Sequence, residues 1–310
     1  MPSEKQYDVS VVGELNLDLV LYGLPSRFDL DREYLASNLN LTLGSSSAIF
    51  AHNLALLGNR VSFHSAIGKD GLGEICLERL SESGVDASGV KRFPGKQTGI
   101  TVILAQPLKR FILTYPGVMG EMRLEDVNLE RIVEARHLHL SSFFLQTALR
   151  PRVMELFRRA KEAGLSTSLD TNDDPEDRWE RDVLDVLPWV DVLLPNEREA
   201  TRLAGVEDPM RALEYLAGKV SLVVMKRGEK GATARRGAEC FEAIAPKVAT
   251  VDSIGAGDSF DAGFLHQFLR GAGIEECLRF GNLAGALSTT RSGGTEAFRD
   301  AAHRKAFLGQ

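Results

Sequence analysis

The residues best placed to do chemistry lie between Val251 and Phe264, in the run Val-Asp-Ser-Ile-Gly-Ala-Gly-Asp-Ser-Phe-Asp-Ala-Gly-Phe. Gly255, Ala256 and Gly257 sit just ahead of an apolar helical pattern, and Asp258 falls in its first turn. Glycines there let backbone N–H groups turn toward an anion with no Cβ in the way. The helix N-terminus adds unsatisfied donors and the positive end of a dipole. Such a cradle binds a phosphate and stabilises charge developing on a transferring phosphoryl group. A carboxylate at the same place can accept the proton of an attacking hydroxyl. An ordinary helix start with Asp258 as a capping acid fits the local pattern too. Near the other end, Asn16 and Asp18 are two apart, so on a strand they share a face. An amide beside a carboxylate is a natural clamp for two hydroxyls, although both types also form turns.

These residues need elements to hold them. From Asp8 to Leu21 the pattern is strand-like and is broken by Gly23, Pro25 and Ser26. Ala48–Leu57 reads as a helix, Val61–Ile67 as a strand, and Gly71–Ser83 as a second helix. Strands at 137–140, 166–170, 190–194 and 222–226 then alternate with helices at 151–163, 197–203 and 209–218. This alternation predicts a doubly wound α/β domain, a mostly parallel sheet with helices on both faces. Two strand patterns around Gln106–Lys109 interrupt it and read as a hairpin. With residues from the first strand region, the hairpin predicts a small β lid built from about 14–40 and 95–116. Helices at 258–270 and 274–290 are rich in Gly and Ala and suited to close packing. No linker splits the chain, so a single domain over 1–310 is expected.

Composition narrows the functional classes. The 310 residues, 44% hydrophobic and 26% charged, have ordinary globular composition. A formal net charge of −6 argues against broad nucleic-acid binding. No apolar run approaches the ~18 residues of a membrane helix. Residues 1–8 are polar, with no signal-peptide core, which points to the cytoplasm. Cys76, Cys240 and Cys277 are scattered and read as buried thiols. A Gly-x-x-x-x-Gly-Lys-Ser/Thr loop is absent, so this is not a P-loop kinase. His137 and His139 share a strand face, but no third metal ligand is placed by the sequence.

The 252–258 segment closely resembles the Asp-Thr-x-Gly-Ala-Gly-Asp signature of the ribokinase-like, PfkB family of carbohydrate kinases. The resemblance implies that Asp258 is the catalytic base and Gly255–Gly257 the anion hole. It continues in order along residues 8–300. Gly13–Asp18 is similar to the family's first-strand motif, which makes Asn16 and Asp18 sugar contacts. Gly44-Ser45-Ser46-Ser47 resembles the glycine-rich loop that leads into a helix, with Ile49 where a sugar-binding Asn is common. Gly68–Gly73 matches a structural turn under that loop. Asp170-Thr171-Asn172 resembles the family's Asp-x-Asn strand end.

On the nucleotide side, Asn196 and Glu199 form the family's Asn-x-x-Glu motif, which organises magnesium, water and phosphate oxygens. Lys226, Gly228 and Gly231 resemble the strand and turn that lie along the nucleotide, with Lys226 near phosphates. Asn282 falls on the adenine-side helix. Asp252 with the carbonyls of Ile254, Ser288, Arg291 and Gly293 resembles the monovalent-cation site of some members.

The resemblance thus implies an ATP- and Mg2+-dependent kinase, in some members K+-activated, acting on a hydroxyl of a small sugar-like molecule. Lid sheets in the family often pair across a two-fold axis, which implies a homodimer. Two other readings stand beside this: a nucleoside acceptor, suited by apolar Ile49, and a sugar- or nucleotide-binding regulator without catalysis.

Overall fold

A strand that is apolar at every position has to be covered on both faces. In the computed structural model, which describes residues 5–105, 110–179 and 181–309, the first strands are β1 (Tyr7–Val12), β2 (Asn16–Tyr22), β3 (Asn38–Leu43), β4 (Val61–Gly68) and β5 (Asp86–Phe93). β6 (Gly99–Ala105), β7 (Arg110–Tyr115), β8 (Ala135–Ser141) and β9 (Ser166–Asp170) follow. The last are β10 (Val192–Leu193), β11 (Leu222–Lys226), β12 (Ala232–Arg236) and β13 (Glu239–Ala243). The helices are α1 (Ser46–Leu56), α2 (Gly71–Glu82), α3 (Leu129–Ile132), α4 (Val153–Glu162), α5 (Asp182–Val186) and α6 (Glu197–Ala204). They continue with α7 (Pro209–Ala217), α8 (Ala256–Phe268), α9 (Ile274–Ser288), α10 (Glu296–Arg299) and α11 (Ala301–Leu308).

Among the described residues one sheet has nine strands in the order β13-β12-β11-β10-β9-β8-β1-β4-β5. Neighbours from β11 to β5 run parallel, while β12 and β13 add an antiparallel edge. Leu222 and Val224 of β11 enter a core shared with α1, α2, α8 and α9. Val223 and Met225 enter the opposite core with α4, α5, α6 and α7. The expected doubly wound α/β fold is therefore present, with alternate residues of one strand serving two layers. α8 and α9 pack closely because small residues meet: a Cβ on Gly263 would lie 2.5 Å from the Ala284 Cβ.

The chain order reverses beside β1: β4 and β5 lie to one side of it, β8 to β11 to the other. In open α/β sheets ligands bind outside the carboxyl ends of the strands at such a switch point.

A separate sheet has four strands in the order β3-β2-β6-β7. The lid expected from about 14–40 and 95–116 corresponds to this sheet, with β3 running on to Leu43. The expected turn at Gln106–Lys109 lies outside the described residues. The strand expected from Asp8 to Leu21 is in fact two. At Gly13 a Cβ would lie 1.8 Å from Ser47 Oγ, so the backbone passes hard against the start of α1 and leaves the large sheet for the small one. The expectation of three buried thiols fails at Cys240, which is exposed on the edge strand β13.

His137 and His139 have a structural explanation. His137 Nδ1 and Nε2 lie 2.7 Å from Ser166 Oγ and Ser168 Oγ. His139 Nδ1 and Nε2 lie 2.7 and 2.8 Å from Ser168 Oγ and Ser141 Oγ. This ladder of neutral rings and hydroxyls satisfies polar groups that are fully buried. Burial holds both imidazoles down to about 3, against an ordinary 6.5. Neutral burial of this kind stabilises the fold above pH 6.5 and is lost as pH falls from there toward 3. A His137→Gln, His139→Gln double variant should therefore lose urea-unfolding free energy less steeply than wild type between about pH 7 and 5, by up to about 1.4 kcal/mol per pH unit per histidine. Parallel pH courses would show that the rings are not held neutral.

Candidate functional site

Three clusters meet at the carboxyl edge of the large sheet, under the lid. The first is the start of α8. Gly255 precedes it with φ 69° and offers no side-chain cap, so first-turn N–H groups are left for a ligand. A Cβ on Gly255 would lie 2.7 Å from Gly294 Cα and 3.1 Å from the Ile49 side chain. Glycine is thus demanded both by the left-handed backbone and by close approach. Asp258 is buried in the first turn. Burial, reinforced by the Asp170 charge, raises its carboxyl to about 7, while Lys226 and the Ser46 hydroxyl pull the other way.

The second cluster lies beneath the first. Lys226 Nζ, at the end of β11, is 2.6 Å from Asp170 Oδ2 at the end of β9 and 2.9 Å from Asp261 Oδ2 on α8. Burial alone would lower the ammonium, but the two acids outweigh it and hold it charged. Asp170 is likewise buried yet lowered, chiefly by Lys226. Burial and the Asp170 charge raise Asp261 well above the ordinary range, despite Lys226. That direction favours the protonated form of Asp261, which would leave one ammonium against one carboxylate. A Cβ on Gly257 would lie 3.6 Å from Lys226 Nζ, so the lysine lies alongside the glycine turn.

The third cluster joins lid to sheet. Asn16 Nδ2 donates to Thr101 Oγ1 at 2.9 Å, while its Oδ1 is buried without a partner. A Cβ on Gly44 would lie 2.1 Å from Asp18 Oδ1 and 2.7 Å from Asn16 Oδ1. Only a glycine leaves both groups of the clamp room to face one space. Burial, then the charges of Asp258 and Asp252, raise Asp18 to about 7. That repulsion records how near the clamp lies to the start of α8. Ser45 donates to Glu14 O at 2.9 Å and caps α1, so its hydroxyl is spent on the loop itself.

The nucleotide-side residues are more scattered. Asn196 and Glu199 form a reciprocal capping box on α6, with Asn196 N donating to Glu199 Oε2 at 2.8 Å. Burial and the Asp170 charge raise Glu199 to about 8. Gly231 and Asn282 both act on Ala243: a Cβ on Gly231 would lie 2.0 Å from its carbonyl, which Asn282 Nδ2 contacts at 2.9 Å. Gly228, at φ 57°, has open space beside it. Asp252 Oδ1 accepts from Ile254 N at 3.0 Å and Oδ2 from Gly293 N at 3.1 Å. Ser288 Oγ donates to Ile254 O at 3.5 Å, and Arg291 pairs with Asp300 at 3.1 Å. A cavity of about 940 Å3 beside Trp179, Arg198 and Tyr215 shares none of these residues.

Some side chains at the site were not singled out by the sequence. Glu14 is buried and accepts from Ser46 N, Ser47 Oγ, Ser142 Oγ and Gln146 Nε2 at 2.7–3.2 Å. Its signal was an acid directly after the first apolar strand. Arg110 of β7 donates to Ser253 Oγ at 3.3 Å, and Tyr22 of β2 to Asp252 Oδ2 at 3.3 Å. Neither carried a signal, because each reaches its partner from more than a hundred residues away.

The chain matches the model of the pfkB family carbohydrate kinases over residues 6–301. It is 31% identical to the cytidine kinase of Thermococcus kodakarensis, covering 88% of this chain and 93% of that one. It is also 31% identical to the ATP-dependent ribose-1-phosphate kinase of Halopiger xanaduensis, covering 82% of each. Among solved structures, Arabidopsis thaliana ribokinase complexed with ribose and ATP superposes with a TM-score of 0.82 at 25% identity, over 98% of this chain and 99% of that one. With a match over nearly its whole length and relatives at 31% identity, this chain belongs to the pfkB family of carbohydrate kinases.

Proposed function

We propose that Asp258 is the general base of an ATP-dependent phosphotransfer to a hydroxyl of a sugar or sugar derivative. The observation that carries the reading is a buried carboxyl raised to about 7 in the same helical turn as amides left free by Gly255. A base of that strength can take a proton from an alcohol as the bond to phosphorus forms. Gly255–Gly257 would hold the transferring phosphoryl oxygens, with Lys226 adding positive field from below. Asn16 Oδ1 and Asp18 are acceptors facing one space, which suits the hydroxyl donors of a polyol. Glu14 would fix the Gly44–Ser47 loop that shapes this space.

The nucleotide would lie along Gly228 and Asn282. Among the described residues no group of three or more His, Cys, Asp or Glu side chains is placed to hold a metal. Magnesium would therefore arrive with the ATP phosphates, with Glu199 and Asn196 acting through water, and would supply charge neutralisation. No helix among the described residues is long and apolar enough to cross a membrane. The expected cytoplasmic setting suits a reaction that draws on ATP. A nucleoside acceptor is the second reading, favoured by Ile49, which presents an apolar chain against Gly255 and Gly294 where an amide would contact sugar hydroxyls. We also propose that the lid pairs two copies. Phe111, Ile112, Leu113 and Tyr115 are all exposed on β7, an edge strand, and such an edge invites pairing.

A coupled ADP-release screen with Mg-ATP against sugars, sugar phosphates and nucleosides names the acceptor. With a hit in hand, Asp258→Asn should lower kcat by on the order of 10² or more while Mg-ATP still binds. The wild-type kcat/KM should fall away below about pH 7, where the base takes a proton; a limb in the ordinary carboxylate range would contradict the buried base. Lys226→Met, which strands two buried acids, should cost about 3–5 kcal/mol in urea unfolding, against under about 1 kcal/mol for Asp261→Asn. If the two variants were equally stable, Asp261 would not be the protonated partner. Leu113→Glu should shift the sedimentation coefficient from dimer to monomer, and a monomeric wild type would dispose of the pairing.

A further inference from the structure

The Asp252 carboxylate, expected to join a monovalent-cation site, is engaged in another way. Both carboxylate oxygens already take backbone donors, from Ile254 and Gly293. A third donor comes from outside the loop, the Tyr22 hydroxyl on the lid strand β2, at 3.3 Å from Oδ2. Tyr22 in turn contacts Ser292 Oγ, and Asn40 Nδ2 of β3 lies 3.4 Å from that hydroxyl and 2.9 Å from the Ser292 carbonyl. The donors run one way: Asn40 amide to Ser292 hydroxyl, Ser292 to Tyr22, Tyr22 to the carboxylate. A relay of donors that ends on an acceptor leaves no proton misplaced. Oδ2 already takes two donors, Gly293 N and the Tyr22 hydroxyl, so a cation there would have to displace one of them, and this carboxylate does not fit the cation.

We infer that the Tyr22 hydroxyl takes the place of a monovalent cation in this chain and positions the anion-hole loop from the lid. Asn16, Asp18, Val20 and Tyr22 alternate along β2 and so share a face. One end of that face presents the acceptor clamp. The other end holds Asp252, whose Oδ1 fixes Ile254 immediately before Gly255. Thr42 of β3 braces the neighbouring segment that donates to Asp252 through Gly293: its Oγ1 lies 3.1 Å from Thr295 Oγ1, and a Cβ on Gly293 would lie 2.8 Å from its methyl group. The lid thus orders the phosphate site by direct contact, and Tyr22 is a positioning residue.

The inference rests on Gly255–Gly257 being the phosphate site. Its test is Mg-ATP titration calorimetry on wild type and Tyr22→Phe, in potassium chloride and in tetramethylammonium chloride at equal ionic strength. Wild type should bind equally in both salts. Tyr22→Phe should bind about tenfold more weakly in tetramethylammonium, the value of one hydrogen bond to a charged group, and potassium should restore part of the loss. A wild-type affinity that rises severalfold and saturably with potassium overturns the inference, and needs no variant to show it. So does a Tyr22→Phe protein that matches wild type in tetramethylammonium. Failure of the phosphate-site reading looks different: Mg-ATP would bind in neither salt.

Discussion

One buried ammonium holds the working parts of this enzyme in register. Lys226 Nζ joins the ends of β9 and β11 to α8 through Asp170 and Asp261, and Asp258 lies one turn of α8 from Asp261. Charges this deep are costly unless paired. The pairing is therefore close to all-or-none, and it fixes where α8 begins relative to the sheet. Asp258 and the glycine turn inherit that position. Asp170 also raises Asp258 and Glu199 by its charge, so one structural pair tunes carboxyls on two helices.

The acceptor side depends on a different constraint. β1 ends at the point where strand order reverses, and the chain leaves there for the lid. Glu14 stands at that exit and ties together the first turn of α1, Ser142 after β8, and Gln146. The crevice of the large sheet and the floor of the lid are therefore built by the same few residues. Gly44 completes it by omission, since any side chain would fill the space between Asn16 and Asp18.

How much of this was legible follows from the range of the interactions. Of the strands buried on both faces, β11 read directly from its apolar run, whereas β8 and β9 carry His, Ser and Thr at buried positions and were legible mainly from the strand–helix alternation around them. β5 and β13 were not, because Asp86–Phe93 and Glu239–Ala243 are edge strands with polar residues throughout, held by neighbours rather than by their own pattern. The glycine turn and Asp258 were legible because their chemistry is local to one helix start. Lys226 was legible as a site residue and Asp170 as part of a strand-end motif, but neither their pairing nor Asp261 was, since the three meet only through the fold. Tyr22 and Arg110 are the extreme case: an aromatic and a basic residue on lid strands have no chemistry until a distant loop is placed under them.

The charge of the site then explains why a lid is needed at all. Glu14, Asp18, Asp252 and Asp258 surround the space where a phosphoryl group would be transferred, and Lys226 is already bound to two acids beneath it. Such a site repels a nucleotide's phosphates unless positive charge is added from elsewhere. The start of α8 supplies part of it through its dipole. Arg110, brought by β7 to Ser253 beside the glycine turn, supplies a full charge from above. Because Arg110 stands on β7, the small sheet itself carries that charge to the edge of the glycine turn.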